Sequence, residues 1–527
     1  MKLPRGIASG VLFPAAEISG CHAGLDPEFP FPLPIKLSIT HNYAEIAYNY
    51  AHIYFKLEAA IDIQFVTDEL KHLKPMDKRI ARRINIFLAH KVLKPDVSIP
   101  QAFGSTAAVK AAYRLLSNKS LEPMAIMNAH IKRSAERICG LKMALVAHDT
   151  TDIDFSSHKK VRGVGYLDAP FCRGIKLHTS LALSPEGVPL GVVYQKAWAR
   201  DDAELGKRAG RHKKPIEEKE SYRWIEGMRS ARAAVDKSVT LIHIADREGD
   251  IYEFISETLK LANNYPLVRA CHDRMTLTSG GGEARLFEAI ASVPVAGEMK
   301  VHIARRGPER LPETVVCQIR FAPCALQPPI RKKDQPALPL WVASAEEKGG
   351  GEGAIKWVLL CGAPVNSLED AISMVEYYAR RWLIERFHYT LKSGCRVEEL
   401  QLEEADRLMR ALELYSIAAF RLLWITYSAR ADPDGPSSLI ISDRERKLLV
   451  GLLISAGAGR MVAKGGYGLL DCVTMIACLG GFMGRKSDGF PGVKTLWRGL
   501  RRLEEACETM ESLEKLGWLN KEVVGNG

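Results

Sequence analysis

The sequence predicts an α/β fold, with a core of buried strands that is interrupted by an antiparallel β segment and flanked on both sides by helical domains. Two short apolar runs, Lys142–Asp149 and Val239–Asp246, each close on an aspartate and read as buried strands. Between about 280 and 357 the chain changes to alternating segments separated by Gly280 to Gly282, Pro328-Pro329 and Gly349 to Gly351, a pattern of antiparallel strands. Over residues 61–140 and 401–527 the apolar spacing is helical. With 527 residues, 47% of them hydrophobic, the chain can bury several cores, and three or four domains are expected.

Taken in order, residues 1–60 stand apart as an N-terminal extension. Asp26-Pro-Glu-Phe-Pro-Phe-Pro-Leu-Pro34 reads as an extended tether. Lys2 and Arg5 precede an apolar stretch, but Pro14 and Glu17 interrupt it, which argues against a secretory signal. Residues 61–140 read as a helical domain. Seven Lys/Arg lie between Lys71 and Lys91 against one acid, Asp77, and include Lys78, Arg79, Arg82 and Arg83. A second helix, Ser105 to Ser117, carries Lys110, Tyr113 and Arg114. Such spacing suits either a phosphate backbone or a solvated helix face.

Residues 141–400 carry the strands, at about 142–148, 174–183, 188–195 and 239–245, followed by Pro266 to Ala270. Glu298–Ile303 and Thr314–Arg320 alternate within the inserted segment. Residues 401–527 read as helices, with Leu400 to Thr426, Asp443 to Ala456 and Val493 to Lys515 the clearest, and Ser487-Asp-Gly-Phe-Pro491 turning the chain into the last of them.

The segment Tyr378-Ala-Arg-Arg-Trp-Leu-Ile-Glu-Arg-Phe-His-Tyr-Thr-Leu-Lys392 is chemically the densest. On one continuous α-helix, Tyr378, Arg381, Glu385 and Lys392 fall within a wedge of roughly 60°, with Ile384, Phe387 and Leu391 well round from it. One carboxylate beside a phenol, a guanidinium and an ammonium suits a site where metal and phosphate meet; a solvated charged face has the same pattern. Asp149 and Asp246 add two strand-end acids. Taken singly, such an Asp serves as a turn former or N-cap. Together with Glu385 they make an oxygen-ligand set that suits Mg²⁺, which takes one or two carboxylates and completes its shell with water and phosphate oxygens.

Composition narrows the partners. The net charge of +11 favours polyanions. Eleven cysteines include no Cys-x2-Cys pair, so neither a zinc site nor a disulfide framework is expected and reduced, cytoplasmic thiols are the default. The longest apolar candidate, Leu448 to Gly459, is too short to span a bilayer, so no membrane partner is expected.

The ordered set Asp149-Thr150-Thr151, Asp246-Arg247-Glu248 and Tyr-x2-Arg-x3-Glu-x6-Lys on Tyr378, Arg381, Glu385 and Lys392, with Arg381-Trp382 and Glu385-Arg-Phe-His388 around it, resembles the bacterial cut-and-paste DDE transposases of the insertion sequence four family, the group that includes the transposase of transposon five. The resemblance runs over roughly residues 65 to 520. It implies a ribonuclease-H-like catalytic core with a β insertion that grips DNA near the cleavage site. The N-terminal helices would then read double-stranded transposon-end inverted repeats. Leu479 to Asp488 and Gly492 to Leu503 also match, which implies a homodimer in the synaptic complex.

The resemblance further implies two Mg²⁺ ions, with Mn²⁺ able to substitute, held by Asp149, Asp246 and Glu385. Tyr378, Arg381 and Lys392 would hold phosphates near the scissile bond, Arg269 is a further candidate DNA contact, and Trp357 matches either a tryptophan that stacks on a flipped base or a core residue. The implied compartment is the bacterial cytoplasm, at the nucleoid. Competing readings are a DNA-end-binding regulator or degenerate copy without cutting activity, a ribonuclease-H-like nuclease without strand transfer, and a carboxylate-based glycosidase. The last needs only paired acids, and Arg381 and Lys392 argue against it.

Overall fold

The computed structural model describes residues 61–518 apart from 75, 207–209, 211–213, 279, 304–312, 352–353, 460–461, 463–466 and 486. The N-terminal extension, residues 1–60, lies outside the described residues, as do residues 519–527.

The first described domain is helical, as the spacing predicts: α1 (Ile61–Leu70), α2 (Lys78–Leu93), α3 (Ile99–Phe103), α4 (Thr106–Leu116) and α5 (Ala125–Ile138). Asp77 caps α2 by accepting from the Arg79 N–H at 2.7 Å, and Ser105 caps α4 through the Ala108 N–H. Ile84, Phe87, Leu88 and Val92 bury one stripe of α2, which leaves Lys78, Arg79 and Arg83 exposed.

The middle of the chain builds β1 (Met143–Asp154), β2 (Gly165–Tyr166), β3 (Arg173–Leu183), β4 (Pro189–Trp198), α6 (Tyr222–Ala234), β5 (Thr240–Ala245), α7 (Tyr252–Leu259) and β6 (Asn264–Arg269). Strand order is β4-β3-β1-β5-β6, with β2 pairing the start of β3. β1, β3 and β4 are antiparallel neighbours, whereas β5 and β6 run parallel to β1. The result is one mixed sheet.

The alternating segment supplies β7 (Met275–Thr278), β8 (Glu283–Arg285), α8 (Leu286–Ser292), β9 (Gly297–Ile303), β10 (Glu313–Leu326), β11 (Leu338–Glu347) and β12 (Lys356–Cys361). These strands begin before residue 280 and extend the same sheet, because β12 pairs antiparallel with β6 and β11 and β10 follow.

After the sheet come α9 (Leu368–Arg380), α10 (Trp382–Tyr389), a π-helical turn over Thr390–Gly394, α11 (Ala405–Ala431), α12 (Asp443–Ser455), α13 (Leu469–Leu479) and α14 (Val493–Lys515). Alternation in β1, β3 and β5 gives each sheet face its own cover. Leu145, Ala147, Leu177, Leu181, Ile242 and Ile244 meet Ile384 and Phe387 of α10 in one core. The other face carries His148, His178 and His243 and is covered by α6, whose Trp224 is fully buried.

Candidate active site

Strand register brings the two aspartates together. In the parallel β1/β5 pair Ala147 lies opposite Ile244, an offset of 97 residues, and Asp149 and Asp246 are separated by the same 97 positions. Both therefore project on the face that α10 covers, at neighbouring places on adjacent strands. The sequence places Asp149 at a strand end. It instead sits within β1, which runs on to Asp154 because β3 pairs with it over that whole length; β5 alone stops, at Ala245.

The Asp149 side chain accepts the Thr150 N–H at 2.8 Å and faces the His388 imidazole at 3.6 Å. Burial raises its pKa, but the nearby His388 imidazole and the charge of Arg381 prevail, so the carboxyl is held below its ordinary value. Asp246 behaves oppositely. Burial and the Asp149 charge push its carboxyl up, against Arg381 and the N–H groups of Glu248 and Gly249. Asp246 also caps the short turn Arg247–Gly249, accepting from Glu248 N at 2.9 Å. Two carboxylates held side by side, one raising the other, form a donor set whose repulsion a divalent cation relieves.

Glu385 comes from α10, one turn after Arg381, whose guanidinium donates to its Oε1. The carboxylates of Glu385, Asp149 and Asp246 and the Tyr378 phenol all favour the charged Arg381 against burial, so its pKa is raised. Asp149, Asp246 and Glu385 do not close into a tight trio. Among the described residues the one set of three His, Cys, Asp or Glu ligand atoms within 4.8 Å of one another is Asp250, Cys271 and His272. There Asp250 is already used by Arg274 and by the N–H groups of Cys271 and His272, which makes it a structural pin.

The single straight helix expected over Tyr378 to Lys392 is not formed. α9 and α10 meet at Arg381, where Arg381 N bonds Tyr378 O and Ile384 N bonds Arg381 O, and a π turn begins at Thr390. Tyr378 is buried, at 3% exposure, with its ring edge-on to Trp357 at 5.1 Å and 71°. Arg269, on β6, lies close enough to Tyr378 to feel its phenol and donates to Lys356 O at 3.2 Å. Trp357, Arg269, Tyr378 and Arg381 thus form one packed group beside the acids.

Lys392 leaves the expected wedge. The π turn aims it at β1, where Nζ donates to Asp152 O at 2.8 Å and pairs with Glu398 at 3.1 Å. Glu398 in turn accepts the Asp154 N–H at 3.0 Å. Together they satisfy main-chain groups on the part of β1 that extends past the end of β5.

The sequence reading assigned no role to His388, nor to a second group on the far side of β1. Arg223 of α6 donates to Thr150 Oγ1 at 2.8 Å and pairs with Glu248 at 3.2 Å, and Thr150 Oγ1 also meets His178 Nδ1 at 2.9 Å. His148 and His243 are linked at 2.9 Å, and burial first, then the adjoining imidazoles for His148 and Arg223 for His178, hold both well below the usual imidazole range. A cleft of about 400 Å³ opens there, lined by Thr150, Thr151, Asp152, Asp168, Lys176, Arg200, Arg223 and Glu248. The only sequence signal was the alternation of His148 with Asp149.

Of the basic residues singled out in the first domain, Lys78, Arg79, Arg83 and Arg114 are exposed and Arg82 is half-buried. Tyr113 is half-buried beneath the Arg407 guanidinium at 5.9 Å, so part of its ring is already occupied. No described helix is long and apolar enough to cross a membrane. Two regions match known families: residues 62–121 match Transposase DNA-binding, and residues 454–512 match Transposase Tn5 dimerisation domain. The first spans α1 to α4 with the basic face of α2, and the second spans α13 and most of α14.

Proposed function

From a chain that its two terminal matches identify as a Tn5-like transposase, with DNA-binding and dimerisation domains, we propose a DDE transposase that binds the inverted-repeat ends of a mobile element, cuts them and joins them to target DNA. The observation that carries the proposal is the shared register of Asp149 and Asp246 on the face that also receives Glu385. A ribonuclease-H-like core is supported by the strand order β4-β3-β1-β5-β6, with β5 and β6 parallel to β1.

In this reading Asp149, Asp246 and Glu385 would hold two Mg²⁺ ions. When bound, the ions neutralise charge on the attacking and leaving oxygens of an in-line displacement. Arg381 is kept cationic by the acids around it and would hold a phosphate oxygen with its planar fork. Tyr378 packs edge-on to Trp357 and lies beneath the Arg381 guanidinium at 5.9 Å. Hydrolysis would release a 3′-hydroxyl at the element's end. That hydroxyl would attack the opposite strand to give a hairpin, which water opens before strand transfer.

The test is cleavage of a labelled duplex spanning the inverted repeat and its flank, with Mg²⁺ or EDTA. Metal-dependent nicking at the repeat boundary followed by a hairpin is expected, with Glu385→Ala losing at least ~10³-fold in rate while still binding. Binding by the native protein without any cut would point to a DNA-end-binding regulator. Cutting unchanged by Glu385→Ala would remove that residue from the site.

A further inference from the structure

The connection between β1 and β3 carries an aromatic ring that the fold holds out to solvent. Phe171 is fully exposed, at 102% of its reference area, and has a left-handed backbone with φ 64°. The tip around it is tied down. Leu167 N donates to Cys172 O at 3.0 Å and Cys172 N to Ala169 O at 3.2 Å. Next to the tip, Arg173 Nη2 donates to Val164 O and to Asp202, each at 2.8 Å, and Asp168 binds Lys176 and Arg200, each at 2.6 Å. An anchored turn that presents a bare aromatic gains nothing for its own core.

Two further observations say what the ring meets. Asp168, three residues before Phe171, lines the same cleft as Thr150 and Glu248, so the tip adjoins a cleft on the far side of β1 whose lining includes the chain neighbours of both acids. Within the same connection, Lys159 and Lys160 are exposed and make no ion pair among the described residues. Exposed cations and a free aromatic face on one connection suit a nucleic acid, the cations for phosphates and the ring for bases.

We propose that the Phe171 tip, with Lys159 and Lys160, is a further DNA contact, in which the ring wedges between or stacks on bases of the duplex lying across the acids. This rests on the transposase reading above. Thr179 lies opposite Asp149 and eight positions from Phe171, so at about 3.3 Å per residue plus about 5.5 Å across the strand pair the Phe171 backbone lies no more than ~32 Å from that of Asp149. The contact therefore falls within roughly ten base pairs of the scissile phosphate. It is distinct from Trp357, which packs against Tyr378.

Full-length protein is mixed with duplexes carrying 2-aminopurine at single positions, in three arms: the element's end, its flank, and target DNA. Native protein should raise fluorescence at least about threefold at a position within roughly ten base pairs of the scissile phosphate, and the responding arm names the source. Phe171→Ala should abolish the rise and Phe171→Trp keep it, with end affinity changed less than about threefold. Lys159→Ala with Lys160→Ala should reduce the salt slope by about 2.

No rise at any position with native protein bound overturns the contact, as does a rise unaffected by Phe171→Ala. A changed oligomeric state in Phe171→Ala reassigns the tip to a subunit interface and also overturns it. An unchanged salt slope removes the two lysines. The fluorescence readout needs no cutting, so a Phe171-dependent signal in a protein that never cleaves would sink the proposed chemistry and leave the contact standing.

Discussion

At the scale of single residues, His388 is the side chain with the most specific consequence. It shares α10 with Glu385 and faces Asp149 at 3.6 Å with 6% of its own surface exposed, which ties two of the three acids through one helix. A buried imidazole behind a carboxylate fixes the direction of its oxygens. His388→Ala is expected to weaken Mn²⁺ binding, read by calorimetry without DNA, by about 10–100-fold while the far-ultraviolet circular dichroism stays native. His388→Gln, which keeps a donor, should recover part of that loss. Equal Mn²⁺ affinity in all three proteins would show that Asp149 is oriented without it.

At the scale of elements, the local irregularities sit where the site is built. β1 outlasts β5, and the exposed edge so created is closed by the π turn through Lys392 and by Glu398. Lys392 therefore has a structural bond whether or not it also meets phosphate. Lys392→Met is expected to cost about 1–2 kcal/mol in chemical denaturation of the DNA-free protein, since Asp152 O loses its donor. Unchanged stability would assign Lys392 to DNA alone. Helical spacing in the sequence made Tyr378, Arg381, Glu385 and Lys392 one face, yet the tight turn at Arg381 and the π turn redistribute them. Tyr378 goes to the core, Glu385 to the acids and Lys392 to a strand edge.

At the scale of the whole molecule, the first domain is locked to the sheet and to the C-terminal helices. Buried Glu69 accepts from Arg137 and meets His130 at 2.5 Å, and His130 Nε2 accepts the Val192 N–H of β4 at 3.1 Å. Lys94 pairs with Glu508 and Asp96 with Arg501, both on α14. Glu413 of α11 accepts the N–H groups of Met124 and Met127 at the start of α5, at 3.1 and 3.0 Å. Burial pushes its carboxyl from 4.5 up to about 7, against those backbone donors.

Because the folded pKa lies above the unfolded one, the Glu413 contribution is fully present below about pH 4.5 and is lost as pH rises through about 7. The difference amounts to about 3 kcal/mol. Between about pH 5 and pH 8 the melting temperature of Glu413→Gln should therefore fall less steeply than that of the native protein. Parallel curves would mean that the carboxyl is already ionised at the lower pH.

The sequence by itself determined the α/β class, the helical character of residues 61–140 and 401–527, the span of α14, which it predicts residue for residue, and the separation of 97 that turns out to be the β1/β5 register. These follow from local periodicity and from motif residues whose order the chain records directly. Only the tertiary structure decided that β1 runs past Asp149, that the inserted strands extend the same sheet, that the acidic helix breaks at Arg381, and that His388 stands behind Asp149. Each of these depends on partners distant in sequence: β3 for the length of β1, β6 for the docking of β12, and Asp152 for the direction of Lys392. Periodicity reports which face of an element is apolar, but not where its neighbour ends. The site is assembled at that end, where β5 stops and β1 continues.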